Sequence, residues 1–170
     1  MRTLYVKETE IERKWHLTVD RFTYKRSAFT IGNSPSVVEH LHEKAGIPRE
    51  RLRLVRGGID PARIDAASPA GRERLGLEPG QPMIFWSGRL DPVKGLHHLI
   101  DAFADLPTDP PGCLVLAGDG PERARLQERI AEHGLAERVR FLGARRDVPS
   151  LLKTADVYAF PSRTEGLPNA

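Results

Sequence analysis

The stretch Met83-Ile84-Phe85-Trp86-Ser87-Gly88-Arg89-Leu90-Asp91-Pro92-Val93-Lys94-Gly95 decides the fold of this 170-residue chain. The four apolar residues at its start predict a buried strand, and the glycine that follows ends it. Downstream, apolar residues recur at spacings of three and four from Leu96 to Leu106, which predicts one face of a helix that packs on the sheet. A strand, a turn and a helix in this order indicate a parallel α/β layer.

The same cycle repeats along the rest of the chain. Further strands are predicted at Leu114–Ala117, Val139–Leu142 and Val157–Phe160, separated by a charged helix that ends near Gly134 and a short helix over 148–155. Four strands with intervening helices predict a Rossmann-like parallel sheet with flanking helices. In such a sheet, ligands bind beyond the carboxyl ends of the strands.

The residues before this layer follow a less complete pattern. Strands near 28–31 and 51–55 and a helix over 36–44 are too few for a separate core, so we expect the tail of a preceding α/β domain. A segment rich in Ala, Gly and Pro then predicts a linker. The predicted parts are a domain tail at 1–56, an interdomain linker at 57–80 and an incomplete nucleotide-sugar-binding domain at 81–170. An interrupted sheet also predicts an uncovered apolar face and poor solubility.

The composition excludes several classes of function. Lys and Arg number 26 against 23 Asp and Glu, and the net charge of +3 is interspersed along the chain, so nucleic acid is not the expected partner. Cys113 is the single cysteine, so no disulfide framework is predicted and a reducing cytoplasm fits best. No apolar run approaches the roughly 20 residues that cross a bilayer. Peripheral membrane contact of a longer enzyme stays open.

The loop from Gly88 to Gly95 is the first candidate site. It places Arg89 and Lys94 after the first strand of the layer and next to a helix N-terminus, and all three features attract phosphate. Arginine offers a bidentate fork and lysine a point charge, so a diphosphate is the expected ligand. Taken alone, the two cations are better explained as ordinary solvated loop charges, and the surrounding motifs are what favour the phosphate site.

The second candidate site is the segment Pro161–Pro168, which follows the fourth strand and faces the same edge of the sheet. Glu165 lies within it. A carboxylate there can accept two hydrogen bonds from sugar hydroxyls, although an exposed loop carboxylate or a helix cap is an equal alternative.

Taken together, these motifs resemble the retaining glycosyltransferases of family 4, also called glycosyl transferases group 1, which have the GT-B fold. The resemblance covers about residues 20–170, and the order of the motifs carries it. The matching positions are Ser34, Gly58-Ile59-Asp60, Gly88-Arg89-Leu90 with Lys94-Gly95, Gly118-Asp119-Gly120-Pro121, Phe141-Leu142-Gly143, Ala155-Asp156-Val157, Pro161-Ser162 and Glu165-Gly166.

The resemblance implies that Arg89 and Lys94 hold the donor diphosphate and offset the charge that develops as the nucleotide leaves. It places Glu165 against the donor sugar and the backbone around Arg145 near the base. The further donor-binding positions that it implies are Gly88, Gly118, Asp119, Gly166, Leu167, Pro168 and Asn169. The family's second glutamate, which holds the ribose, would fall three residues beyond Ala170.

The implied partners are a nucleoside-diphosphate sugar as donor substrate and an acceptor that is a glycan, a lipid or a small molecule. No cofactor and no metal are implied. Gly57 stands where the family usually has Asn, and Trp86-Ser87 stand where a small aliphatic residue is common. Both departures are tolerable. The serious departure is extent, because most of the acceptor domain and the last elements of the donor domain are outside the sequence.

Rival interpretations of the same residues are weaker. The third glycine of a dinucleotide fingerprint is replaced by Arg123, and Gly88–Gly95 does not supply the pattern of a P-loop. No Asp-x-Asp motif occurs, which disfavours metal-dependent glycosyltransferases. The six histidines are scattered over predicted helices and are expected at the surface rather than in a metal site. The alternative function is a non-catalytic remnant that binds a nucleotide or a sugar nucleotide.

Overall fold

The computed structural model describes Val19, residues 22–109 and 111–163, and Glu165. These residues fall into two compact units. The first unit contains the described residues up to Ile59, together with Glu165, and the second unit runs from Asp60 to Arg163. The boundary lies within the segment predicted as a linker.

The first unit is a small parallel α/β element. Strands β1, Thr30–Gly32, and β2, Leu52–Leu54, pair in parallel, and helix α1, Pro35–Glu43, connects them. Ser34 begins the helix because its hydroxyl accepts a hydrogen bond from the Val37 amide at 3.2 Å, and proline follows at the first helical position. A buried cluster joins the helix to the strands and contains Leu41, Ala45, Ile47 and Leu52. Short 3₁₀ turns lie at Tyr24–Arg26 and Arg49–Arg51.

The first unit exposes apolar side chains around its two strands. Phe29, Ile31 and Val55 are all more than half exposed, and the Arg53 guanidinium lies 4.3 Å from the centre of the Phe29 ring. Parallel sheets are normally covered on both faces. The expectation of an uncovered apolar face is therefore met within this unit.

The second unit is built on a four-stranded sheet. The strands are β3, Met83–Ser87; β4, Cys113–Ala117; β5, Val139–Gly143; and β6, Val157–Tyr158. Their order across the sheet is β5-β4-β3-β6, and every pair is parallel. The parallel order confirms the predicted Rossmann-like sheet. The strand bounds differ slightly from the predicted ones, because β3 and β4 are each one residue longer and β6 is two residues shorter.

Helices cover both faces of this sheet. The strand residues alternate, so Trp86 and Leu116 join a core with helices α3, Leu96–Ala104, and α4, Arg123–Glu132. Phe85 joins a second core on the opposite face, with helix α5, Val148–Thr154, and the 3₁₀ turn at Glu73–Leu75 that precedes β3. The remaining element is a short helix α2, Pro61–Asp65.

Much of the segment predicted as a linker packs on the second unit. Leu75 and Leu77 are buried in the core beside β3. The Ala70 backbone donates to the Ser150 carbonyl at 3.2 Å and accepts from the Thr154 hydroxyl at 3.0 Å. From residue 70 on, the chain is therefore part of the second unit's structure rather than a simple connector. The predicted limits of the acceptor and donor domains stay predictions.

Asp156 fixes the start of β6 beside β3. Its carboxylate accepts a hydrogen bond from the Met83 amide at 2.6 Å and lies 3.3 Å from the Arg72 guanidinium. The Met83 bond is the main reason that the pKa of Asp156 is lowered, and Arg72 adds to it. In residues 22–109 and 111–163, no helix combines the length and the apolar character needed to cross a bilayer.

Candidate functional site

The loop after β3 is fixed through its backbone and through one buried side chain. The Gly88 amide donates to the Ala117 carbonyl at 3.0 Å, and the Leu90 amide donates to the Asp119 carbonyl at 3.0 Å. Leu90 is fully buried, whereas its neighbour Arg89 is exposed. Burial of Leu90 therefore anchors the loop and directs Arg89 toward solvent at the carboxyl end of the sheet.

Arg89 is oriented by a carboxylate two residues along the chain. Its guanidinium donates to Asp91 at 3.0 Å, and the Arg89 side chain is 58% exposed. Asp91 also accepts from the Val93 amide at 3.3 Å, which begins the 3₁₀ turn Pro92–Lys94. The guanidinium side of this ion pair is open to solvent, although the Asp91 side chain is only 14% exposed, so a diphosphate can reach Arg89 and compete with Asp91 for it.

Lys94 ends that turn and is half-buried. Gly95 follows in a left-handed conformation, with a φ of 67°, and joins the turn to helix α3. A Cβ at Gly95 would lie 3.2 Å from the Pro161 carbonyl carbon and closer still to its oxygen. Only glycine lets the loop that follows β6 pass this close to the loop that carries Lys94.

The loop after β4 packs directly on the loop after β3. A Cβ at Gly118 would lie 2.9 Å from the Gly88 carbonyl carbon and closer still to its oxygen. The Gly118 amide donates to the Gly143 carbonyl at 2.7 Å, which links the loop to the end of β5. Three neighbouring strand ends are therefore joined by backbone contacts, and at Gly118 these contacts leave no room for a side chain.

Asp119 organises its own loop. Its carboxylate accepts from the Gly120 amide at 2.8 Å and lies 3.8 Å from the Arg123 guanidinium, and its side chain is 63% exposed. The side chain therefore lies at the carboxyl edge and keeps much of its surface open to a ligand.

Arg145 follows β5 and is paired with Asp147. Its guanidinium makes two hydrogen bonds to that carboxylate, at 2.8 and 2.6 Å. This bidentate contact lowers the pKa of Asp147 and raises the pKa of Arg145. The contact of the backbone around Arg145 with a base, which the family resemblance implies, stays a prediction.

The loop after β6 is only partly described. The Arg163 amide donates to the Val93 carbonyl at 3.0 Å. Glu165 is half-buried, and its predicted contact with the donor sugar stays a prediction. The predicted positions Gly166, Leu167, Pro168 and Asn169 lie outside the described residues.

The structure thus places one set of predicted residues on a single edge of the second unit, namely Gly88, Arg89, Lys94, Gly118, Asp119 and Arg145. Two cations at the ends of parallel strands can hold a diphosphate. Among the described residues, no group of three or more His, Cys, Asp or Glu side chains forms a metal-ligand cluster. Metal independence itself stays a prediction.

A comparison with protein families bears on this edge. Residues 68–170, which carry every one of its strands and loops, match the sequence profile of the family described as "Glycosyl transferases group 1". The chain belongs to the glycosyl transferases group 1 family.

Relatives of this group 1 glycosyltransferase chain are longer. It is 30% identical to alpha-D-kanosaminyltransferase of Streptomyces kanamyceticus, over 97% of the chain and 44% of the relative. It is 34% identical to D-inositol 3-phosphate glycosyltransferase of Nocardia farcinica, over 79% of the chain and 32% of the relative. The chain therefore spans less than half the length of these two curated relatives.

A solved structure supports the fold of the group 1 chain. Anabaena Alr3699/HepE, crystallised in complex with UDP and glucose, is 28% identical, with a TM-score of 0.78 over 92% of this chain and 44% of that one. The α/β architecture with parallel sheets and flanking helices matches GT-B glycosyltransferase structures, which confirms the predicted fold class.

The sequence interpretation of the group 1 chain missed one feature of the edge. His97 and His98 were expected as separate surface residues, but their rings lie 3.9 Å apart, with planes tilted by 49°, beside Arg163. Arg163 follows the fourth strand, so the rule that ligands bind at carboxyl ends was the signal that could have singled it out.

Proposed function

We propose that the chain is a fragment of a retaining, metal-independent glycosyltransferase that moves a sugar from a nucleoside-diphosphate sugar to an acceptor hydroxyl. The observation that carries the proposal is the loop at Gly88–Gly95, which holds Arg89 and Lys94 at the carboxyl edge of the sheet. Its packing on Gly118 keeps both cations on a rigid backbone. Support also comes from the family and from HepE, which was crystallised with UDP and with UDP-glucose.

In the proposed reaction, the bond between the sugar carbon and the diphosphate oxygen breaks, and its electron pair leaves with the diphosphate. Negative charge therefore grows on the phosphate oxygens in the transition state. Arg89 and Lys94 would stabilise that charge, and the exposed backbone near Arg145 would contact the base. Glu165 keeps its proposed contact with the donor sugar. A cytoplasmic location also stays a proposal.

Calorimetry with UDP, GDP and ADP tests the donor site. We expect one of the three to bind the parent chain, and we expect Arg89→Ala and Lys94→Ala each to weaken that binding about tenfold or more, since each removes a charge-assisted bond of roughly 1.5–3 kcal/mol. Arg125→Ala is the matched control, because Arg125 is an exposed cation of helix α4. Failure of all three nucleotides to bind, or equal affinities of the variants and the control, would contradict the proposal.

A second candidate function is binding of the sugar nucleotide without transfer. The observation that favours it is length, since the chain spans 44% of alpha-D-kanosaminyltransferase. A radiolabelled donor separates the two functions. Transfer of label to any acceptor, or hydrolysis of the donor at an enzyme-like rate, would exclude the second function.

A further inference from the structure

Three nitrogen-bearing side chains meet at the start of helix α3, next to the loop that carries Lys94. The rings of His97 and His98 lie 3.9 Å apart between centroids. The Arg163 guanidinium is hydrogen-bonded to Nε2 of His98 and lies 3.4 Å from Nε2 of His97. We call these three residues the His-Arg cluster.

The chain holds the His-Arg cluster against the proposed phosphate loop. The Arg163 amide donates to the Val93 carbonyl at 3.0 Å, one residue before Lys94. Two residues before Arg163, the close approach of Pro161 to Gly95 holds the same two segments together. The cluster is therefore positioned by backbone contacts, and its side chains are half-buried or exposed.

The charged groups that act on His97 are mostly positive, and the Asp101 carboxylate opposes them. Asp101 is the carboxylate that faces His97 from the next turn of the helix, and it is already bonded to Arg129 at 2.7 Å and to His133 at 3.1 Å.

Protonation of His97 is unfavourable in the ligand-free chain. Burial is the main reason that the pKa of His97 is lowered, and the positive charges of His98, Arg163 and Arg129 lower it further, while Asp101 opposes them. Neutral imidazoles accept the hydrogen bonds of the Arg163 guanidinium, whereas protonated ones repel it. An anion seated on the cluster would reverse this repulsion.

We propose that His97, His98 and Arg163 bind the diphosphate of the donor, as an extension of the loop that carries Arg89 and Lys94. The proposal rests on the proposed function. Because a bound diphosphate favours the protonated imidazole, binding is coupled to uptake of a proton, and affinity rises as the pH falls through the pKa of His97 in the complex.

Calorimetry and NMR test the cluster together. UDP, inorganic pyrophosphate and uridine are titrated into the parent chain, into Arg163→Gln and into a variant with His97→Asn and His98→Asn. We expect UDP and pyrophosphate, but not uridine, to lose about tenfold or more in affinity with Arg163→Gln. In the parent, NMR of the imidazole Cε1–H should show the pKa of His97 rising when UDP is bound.

Matched controls are Arg125→Gln and His40→Asn, which alter exposed residues that are not part of the cluster. The NMR signal of His97 is assigned by its loss in His97→Asn. Equal UDP affinity of the cluster variants and the controls, with no change in the titration of His97, would overturn the proposal while leaving donor binding intact. A parent chain that binds none of UDP, GDP, ADP and pyrophosphate would instead refute the proposed function.

Discussion

Replacement of Gly118 by alanine is the sharpest test of the way the two loops pack. The new Cβ would lie 2.9 Å from the Gly88 carbonyl carbon, and the φ of Gly118 is 151°. Strain at an unfavourable φ costs about 1–3 kcal/mol, and overpacking against fixed backbone costs about 1–3 kcal/mol more. Separation of the loops would also break the bond from Leu90 to Asp119, worth about 1 kcal/mol.

The expected loss of stability for Gly118→Ala is therefore about 3–7 kcal/mol, a large fraction of the 5–15 kcal/mol that holds a typical domain folded. The control is Gly134→Ala. Gly134 has a φ of 66° but nothing within 4 Å of its would-be Cβ, so only the conformational cost of about 1–2 kcal/mol remains.

Urea unfolding followed by far-UV circular dichroism measures both variants, and UDP titration then tests whether the phosphate loop has moved. We expect Gly118→Ala to unfold at markedly lower urea than Gly134→Ala and to lose nucleotide affinity. If the two variants have the same unfolding midpoint, the loops can separate at no cost. The packing of Gly118 on Gly88 would then not hold Arg89 and Lys94 on a fixed backbone.

Two further predictions concern stability and association. Asp101→Asn should lower the midpoint of thermal unfolding at pH 7, because the Arg129 hydrogen bonds lower the pKa of Asp101 in the folded chain. This stabilisation is present above the pKa of Asp101 in the unfolded chain and is lost as the pH falls through its pKa in the folded chain. Equal effects of the substitution at pH 7 and pH 2 would contradict the prediction. Because Ile31 is 57% exposed, Ile31→Thr should raise the fraction of chain that stays in the supernatant after centrifugation. The control is Leu106→Thr, at an exposed apolar residue of the second unit, and an unchanged fraction for Ile31→Thr would clear this face of a role in aggregation.

The strands of the sheet could be predicted because each corresponds to a short apolar run in the sequence. Met83–Trp86 and Val139–Leu142 appear in the structure with one residue added to each. Glycines, prolines and charged loops separate those runs, so the alternation of strand and helix could be read directly. Because Arg89 and Lys94 follow the first of these strands, their position at the carboxyl edge of the sheet could be predicted as well.

Packing between distant segments could not be read in the same way. The abundance of Ala, Gly and Pro before β3 indicated a linker and concealed Leu75 and Leu77, which the structure buries. The contact of Arg163 with His97 and His98 joins residues more than 60 positions apart, and no local pattern records it. Such contacts depend on which strands are neighbours, and that order is a property of the whole sheet.

The backbone packing of Gly88 on Gly118 has a consequence for the engineering of donor preference. Positions whose side chains would collide with a neighbouring carbonyl are closed to variation, so a mutagenesis library gains nothing by including them. Diversity belongs instead at Asp119 and Arg145, whose side chains are exposed around that fixed frame. New selectivity in this scaffold should come from substitution of the exposed side chains on the loops, with the loop backbone left unchanged.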